Sequence, residues 1–183
     1  MITERIYCPR VLIISGSGKN AGKTTLINAL IHSLKPAYQV VAIKISPHFH
    51  PVRYNNFIFE CAGKYSIYEE LSVLPENDSS KMKQAGASRV FYIQSKDQYV
   101  GEAFLKCLEY VDDLFPVICE SGSLDQMITP GLMIYIRNGE KELKMDAYER
   151  ISMMIDRDRD HFKSVVDKIS FQSGTWGYQN HKG

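Results

Sequence analysis

Gly22-Lys23-Thr24-Thr25 closes the run Ser15-Gly-Ser-Gly-Lys-Asn-Ala-Gly-Lys-Thr-Thr25 and has the clearest chemical content in the chain. A nucleoside triphosphate presents several negative oxygens. A glycine loop that opens a helix answers them with unpaired backbone N–H groups and the positive end of the helix dipole. In such a P-loop Lys23 reaches the β- and γ-phosphates, Thr24 offers its hydroxyl to Mg2+, and Gly22 lets the backbone come close. Gly18, Lys19, Asn20 and Ala21 form the body of the loop, and Thr25 continues into the helix. Five residues, not the usual four, separate Gly16 from Gly22, and Ser17 stands where the first glycine of the motif belongs. Gly18 is placed to supply the missing backbone freedom. The plain alternative is a glycine-rich turn that binds nothing.

Such a site needs a carboxylate that orients magnesium, directly or through water, and two positions compete for that role. Glu120 ends the apolar run Val117-Ile-Cys119 and precedes Ser121-Gly122-Ser123, a setting that suits either a carboxylate beside phosphates or a strand-terminal acid facing solvent. Asp78 precedes Ser79-Ser80 and reads equally as a helix N-cap. Lys44, at the end of an apolar run, adds a second positive charge for the phosphates or for an anionic substrate, or is an ordinary surface lysine. His48 and His50 in the following loop offer a proton carrier or metal ligand, without the Cys or carboxylate set that a metal site requires. Asp156, Asp158 and Asp160 alternate in the manner of a calcium loop, but His161 occupies the position where that loop needs glycine. The guanine-reading pattern Asn-Lys-x-Asp is missing, since Ser95-Lys96-Asp97-Gln98 has its acid one position early. The residues alone therefore leave GTP and ATP both open.

The elements that must hold these residues follow from hydrophobic pattern. Val11-Leu-Ile-Ile14 reads as a buried strand, and Leu26, Ile27, Leu30, Ile31 and Leu34 form one helical stripe that Pro36 ends. Strand, glycine loop and helix stand in the order the phosphate site demands. Val40–Ile43 predicts a second strand, followed by a long loop from Ser46 to Asn56. Phe57–Cys61 and Tyr65–Tyr68 predict a β-hairpin around Ala62-Gly63-Lys64, within an insertion at about 55–77. A helix from Ser79 to Ala85, a strand at Val90–Ile93 and a helix from Glu102 to Leu114 follow. Strands at Phe115–Cys119 and, after a Pro130-Gly131 turn, at Leu132–Ile136 complete the alternation. Beyond about residue 140 the pattern predicts a helix over Tyr148–Ile155 and a last strand at Ile169–Phe171. The expected fold is α/β: a doubly wound, mostly parallel sheet with helices on both faces and an inserted β-hairpin, in one domain over residues 1–183.

Composition bounds the function. With 22 Lys and Arg against 21 Asp and Glu, the chain has no basic field to hold a nucleic-acid backbone or an anionic membrane. No apolar run approaches the ~20 residues of a membrane span, and the N-terminus lacks a secretory pattern, so a cytoplasmic protein is expected. Cys8, Cys61, Cys107 and Cys119 are scattered without a C-x-x-C spacing, which suits reduced thiols.

In these segments the chain resembles the family of molybdopterin-guanine dinucleotide biosynthesis protein B, small P-loop proteins that bind GTP. The likeness rests on Gly16–Leu26, on Val41-Ala-Ile-Lys44 with His48, on Asp78-Ser79 leading to Ala85-Gly-Ala87, and on Glu120 near Gly122. The resemblance implies a nucleotide site at Gly22–Thr25, magnesium assistance, slow NTP hydrolysis, a homodimer and a partner enzyme in cofactor biosynthesis. The chain departs from the family pattern in three places. Ile45 replaces a histidine, Ser121 replaces the glycine after the strand-end acid, and the Asn55–Asn77 insertion is extra. The longer loop spacing is also similar to that of dethiobiotin synthetase and cobyrinic acid diamide synthase relatives, which use ATP. Three functions are in contention: a slow magnesium-dependent NTPase, an ATP-dependent small-molecule kinase or ligase with Lys44 and His48 on an anionic acceptor, and a non-catalytic nucleotide-dependent binding module.

Overall fold

The structure, a computed structural model, describes residues 5–18, 20–52, 55–74, 77–139, 145–157 and 160–179. The chain runs β1 (Ile6–Gly16), α1 (Lys23–Leu34), β2 (Val41–Ser46), β3 (Asn55–Cys61), β4 (Tyr65–Glu70), α2 (Asp78–Ala85), β5 (Arg89–Ser95) and α3 (Val100–Leu108). It continues through β6 (Val117–Glu120), β7 (Ile128–Arg137), α4 (Met145–Tyr148), β8 (Met153–Asp156), α5 (Phe162–Val166), β9 (Ile169–Gln172) and β10 (Thr175–Tyr178). Eight strands form one sheet in the order β3-β4-β5-β2-β6-β1-β7-β8. Pairings from β5 through β8 are parallel, and the β3-β4 and β4-β5 pairings are antiparallel. The protein is thus α/β with a mostly parallel mixed sheet.

Alternation along β1 shows why the sheet is covered on both sides. Leu12 and Ile14 point into a core shared with Leu26, Ile27, Leu30 and Ile31 of α1, Met82 of α2 and Val165 and Val166 of α5. Val11 and Ile13 point the other way, to Val100, Ala103, Phe104 and Cys107 of α3. All four β1 residues are fully buried, as a central parallel strand requires. At such a position truncation of Leu30 to alanine would cost about 2–5 kcal/mol through lost burial and the cavity left behind. The antiparallel pair β9-β10 packs on the α1 face through Phe171 and Trp176, and the Trp176 indole donates to the Arg10 carbonyl at 2.8 Å. The C-terminal residues therefore share the main core. No helix among the described residues is long and apolar enough to cross a membrane.

Several sequence expectations are corrected. The hairpin forms where it is predicted, and its β4 also pairs with β5, with Tyr65 and Ile67 in the α3-side core, so the insertion extends the sheet. β2 continues to Ser46, which places Lys44 inside the strand. α3 spans Val100–Leu108 and stops short of Leu114. Pro130-Gly131 is no turn, because β7 runs straight through it. There the β1-β7 register shifts between Cys8 and Leu12, and a Cβ on Gly131 would lie 2.0 Å from the Pro9 carbonyl oxygen, so only glycine lets the backbones meet. The helix predicted at Tyr148–Ile155 does not form: the one-turn α4 ends at Tyr148, and Met153–Asp156 is strand β8, which completes the parallel ladder with β7. Edge pairing there overrides a helix-like spacing of apolar side chains.

Candidate functional site

The glycine loop owes its path to backbone conformations that side chains resist. Gly18, Asn20 and Gly22 have φ of 132°, 64° and 96°. At Gly22 the constraint is double, since a Cβ would also lie 2.6 Å from the Phe162 ring of α5. Gly22 is the N-cap of α1 and offers no side chain to its first amides, and the first turn holds no acid. The leading N–H groups of α1 consequently face outward with the positive end of a 12-residue helix behind them. Lys23 folds back so that its Nζ donates to the Gly18 carbonyl at 2.5 Å. Lys19 lies outside the described residues.

Strand register sets the opposing wall. Glu120, the last residue of β6, lies level with Ile14 of β1 on one side and Lys44 of β2 on the other. Only 2% exposed, it accepts from the Thr24 hydroxyl at 3.3 Å through Oε2 and from the Lys44 ammonium through Oε1. It is a buried strand-end carboxylate, not a solvent-facing acid. Lys44 also pairs with Asp78 at 3.4 Å. The N-cap of α2 is Asn77, which forms a capping box with Ser80, so Asp78 does not cap and its carboxylate is left for Lys44 and Lys81. The buried Glu70 supports this arrangement by accepting from the Ser79 hydroxyl at 2.7 Å.

These groups line one cleft of about 980 Å3 at the C-terminal ends of the parallel strands. Gly18, Asn20, Ala21, Gly22, Lys23, Thr24, Thr25, Lys44, His48, Asp78 and Glu120 all border it. Its lining gathers the loop after β1 and the ends of β2 and β6, the edge at which ligands commonly bind in open α/β sheets. Burial lowers the Lys23 ammonium below the usual lysine range; Glu120 opposes that fall, Lys44 adds to it, and Asp78 opposes it. Sequence reasoning missed Lys81 and Arg157 as members of the cleft, and did not place His50 there. Lys81 is visible in retrospect as one turn of helix beyond Asp78, whereas Arg157 arrives only through the β7-β8 pairing. His50 contacts the Tyr92 hydroxyl at 3.2 Å, and its carbonyl accepts from Gln94, so the loop after β2 is tied to β5.

Other candidates fall elsewhere. Asp97 borders a smaller cleft of about 330 Å3 with Ser121, Gly122 and Ser123, which shares Ile45 and Pro47 with the larger one. Of the calcium-like aspartates, Asp158 lies outside the described residues, while Asp156 pairs with Arg137 at 3.0 Å and Asp160 accepts from the Asp156 amide. No group of three or more His, Cys, Asp or Glu side chains able to hold a metal gathers among the described residues. No family model, curated protein or solved structure matches the chain.

Proposed function

We propose that the chain is a P-loop protein that binds a nucleoside triphosphate, GTP or ATP, with Mg2+ and hydrolyses it slowly. The observation that carries this reading is the meeting of Thr24 with the buried Glu120 directly below the open amides of α1. A glycine turn that bound nothing would gain little by burying a carboxylate there, since even an ion pair such as Lys44–Glu120 seldom repays the desolvation of its charges.

The residues fit magnesium. That ion takes one or two protein oxygens and completes its shell with water and phosphate, so it needs no all-protein cage. The Thr24 hydroxyl and Glu120 provide such oxygens, with Asp78 a further carboxylate on the same wall. A bound ion would supply positive charge to offset that of the polyphosphate. The loop amides and Lys23 bind and orient the polyphosphate, and Lys44 fixes the Glu120 carboxylate while adding positive charge beside the terminal phosphate. The likeness to the molybdopterin-guanine dinucleotide biosynthesis protein B family supports a role as an accessory NTPase to a partner enzyme, in a homodimer.

The adjoining smaller cleft favours a second reading, a small-molecule kinase or ligase, because it offers space for an acceptor next to Glu120 through Ser121. Thermal denaturation with Mg·ATP and Mg·GTP tests the nucleotide site, with a gain of about 2.7 kcal/mol expected at a hundredfold excess over Kd. No stabilisation by either nucleotide at millimolar concentration would defeat the proposal. An added acceptor that raises turnover to about 1–100 per second would favour the kinase.

A further inference from the structure

Among the described residues, four cations and two carboxylates border the large cleft: Lys23, Lys44, Lys81 and Arg157 against Asp78 and Glu120. They are not equally engaged. Lys44 and Lys81 pair with Asp78, and Lys44 also with Glu120. Lys23 and Arg157 instead donate to backbone carbonyls of the glycine loop, Lys23 to Gly18 and Arg157, through Nη1, to Asn20. Among the described residues neither has a carboxylate within ion-pair distance. Among the described residues, the two cleft cations without an ion pair thus bracket the same loop.

Arg157 is held there by built structure. Its amide donates to the Arg137 carbonyl at 3.0 Å as a continuation of the β7-β8 ladder, and the preceding Asp156 is fixed by Arg137 and by hydrogen bonds with Asp160. A few residues on, Phe162 packs against Gly22. This places Arg157 on the β7-β8 side of the loop, across from Lys44 and Lys81 on the β2-α2 side. A guanidinium has five N–H donors in a planar fork, and one bond to Asn20 leaves most of them for an anion.

We infer that Arg157 is a second polyphosphate-gripping cation, contacting phosphate oxygens from the side opposite Lys44 when nucleotide occupies the cleft. The inference rests on the nucleotide reading above and assigns a residue that the sequence motif does not contain. A phosphate oxygen is a stronger partner than the carbonyl that Arg157 now uses, because both members of the bond are then charged.

Isothermal titration of the full chain with Mg·ATP and Mg·GTP tests it in wild type, Arg157→Ala and Arg157→Lys. Loss of a charge-assisted bond predicts about ten- to a hundredfold weaker binding in Arg157→Ala, with Arg157→Lys intermediate. The loss should be equal for both nucleotides, since the phosphates are common to them, and wild-type affinity should fall more steeply with added KCl than that of Arg157→Ala. A loss confined to one nucleotide would reassign Arg157 to the base. Weaker binding with an unchanged salt dependence would make it a support of the loop through Asn20. Either result overturns the inference, as does Arg157→Ala affinity within twofold of a nucleotide-binding wild type. A wild type that binds neither nucleotide overturns the parent reading as well.

Discussion

Lys44 and Glu120 occupy matched positions on neighbouring parallel strands, and the ammonium of one donates to the carboxylate of the other. Glu120 is almost fully buried, whereas the Lys44 side chain is 20% exposed, so loss of the lysine strands the carboxylate more than the reverse. Lys44→Met is expected to lower stability by about 1–3 kcal/mol, the cost of an under-paired buried polar group. Lys44→Met with Glu120→Gln should recover much of it. Urea denaturation of the four proteins in the cycle measures this, and purely additive losses would show that the pair does not matter to the fold.

Lys23→Ala should remove triphosphate binding with no loss of melting temperature. Among the described residues its Nζ hydrogen-bonds only the Gly18 carbonyl, and burial already disfavours its charge. Wild-type affinity in the variant, by calorimetry, would remove the central claim about the loop.

Thr24→Ala and Glu120→Gln should each reduce magnesium-dependent hydrolysis more than nucleotide affinity, because the loop amides continue to hold the phosphates. Asp78→Asn is the informative comparison, since its carboxylate borders the same cleft but contacts Lys44 and Lys81, not Thr24. Full turnover in Glu120→Gln with loss in Asp78→Asn would transfer the metal-orienting role to Asp78.

Alkaline pH provides an independent handle on Lys23. A lowered pKa means that the free site loses this proton at lower pH than an ordinary lysine, while a bound triphosphate favours the charged form. Nucleotide affinity should therefore decline as pH rises through the depressed value, with proton uptake on binding in that window. Stability of the free protein should move the opposite way, rising slightly with pH between the folded and unfolded values, since the unfolded chain holds the proton more tightly there. Calorimetry in buffers of different ionisation enthalpy detects the uptake. Lys23→Arg, which stays protonated, should bind with no alkaline decline arising from this position.

Legibility in the sequence followed locality. The glycine loop, α1 and Glu120 were readable because adjacent residues specify them: positive-φ glycines, a helical stripe and an apolar run that ends in an acid. Asp78 reads equally as cap or site carboxylate in the sequence, and the actual cap is Asn77, because two capping-competent residues stand side by side and only geometry separates them. Arg157 was invisible for a different reason. Its place depends on β8 pairing with β7, and the Met153–Asp156 strand is too short to announce itself against a helix-like pattern. The hairpin was located correctly, but its docking on β5 is a long-range choice that neither Tyr65 nor Ile67 reveals alone.

Homodimerisation is expected at that hairpin. β3 is the outermost strand of the sheet, so no further strand of the described chain pairs with its outer side. Such an edge invites a second copy, and antiparallel pairing about a two-fold axis would satisfy both chains at once. Apolar surface accompanies it. Phe57 on β3 is 56% exposed despite its contact with Tyr68, and Leu71, Val73 and Leu74 remain exposed just after β4, whose last residue lies level with Asn55. Deleting Asn56–Glu69 cannot test this, since it would remove Tyr65 and Ile67 from the core. Phe57→Lys places a charge at the edge while leaving the core intact, so it should change monomer stability by no more than about 0.5 kcal/mol. Light scattering should then show a wild-type dimer and a monomeric Phe57→Lys protein that still binds nucleotide. A dimer that survives the substitution would place the interface elsewhere, and a monomeric wild type would end the case for dimerisation.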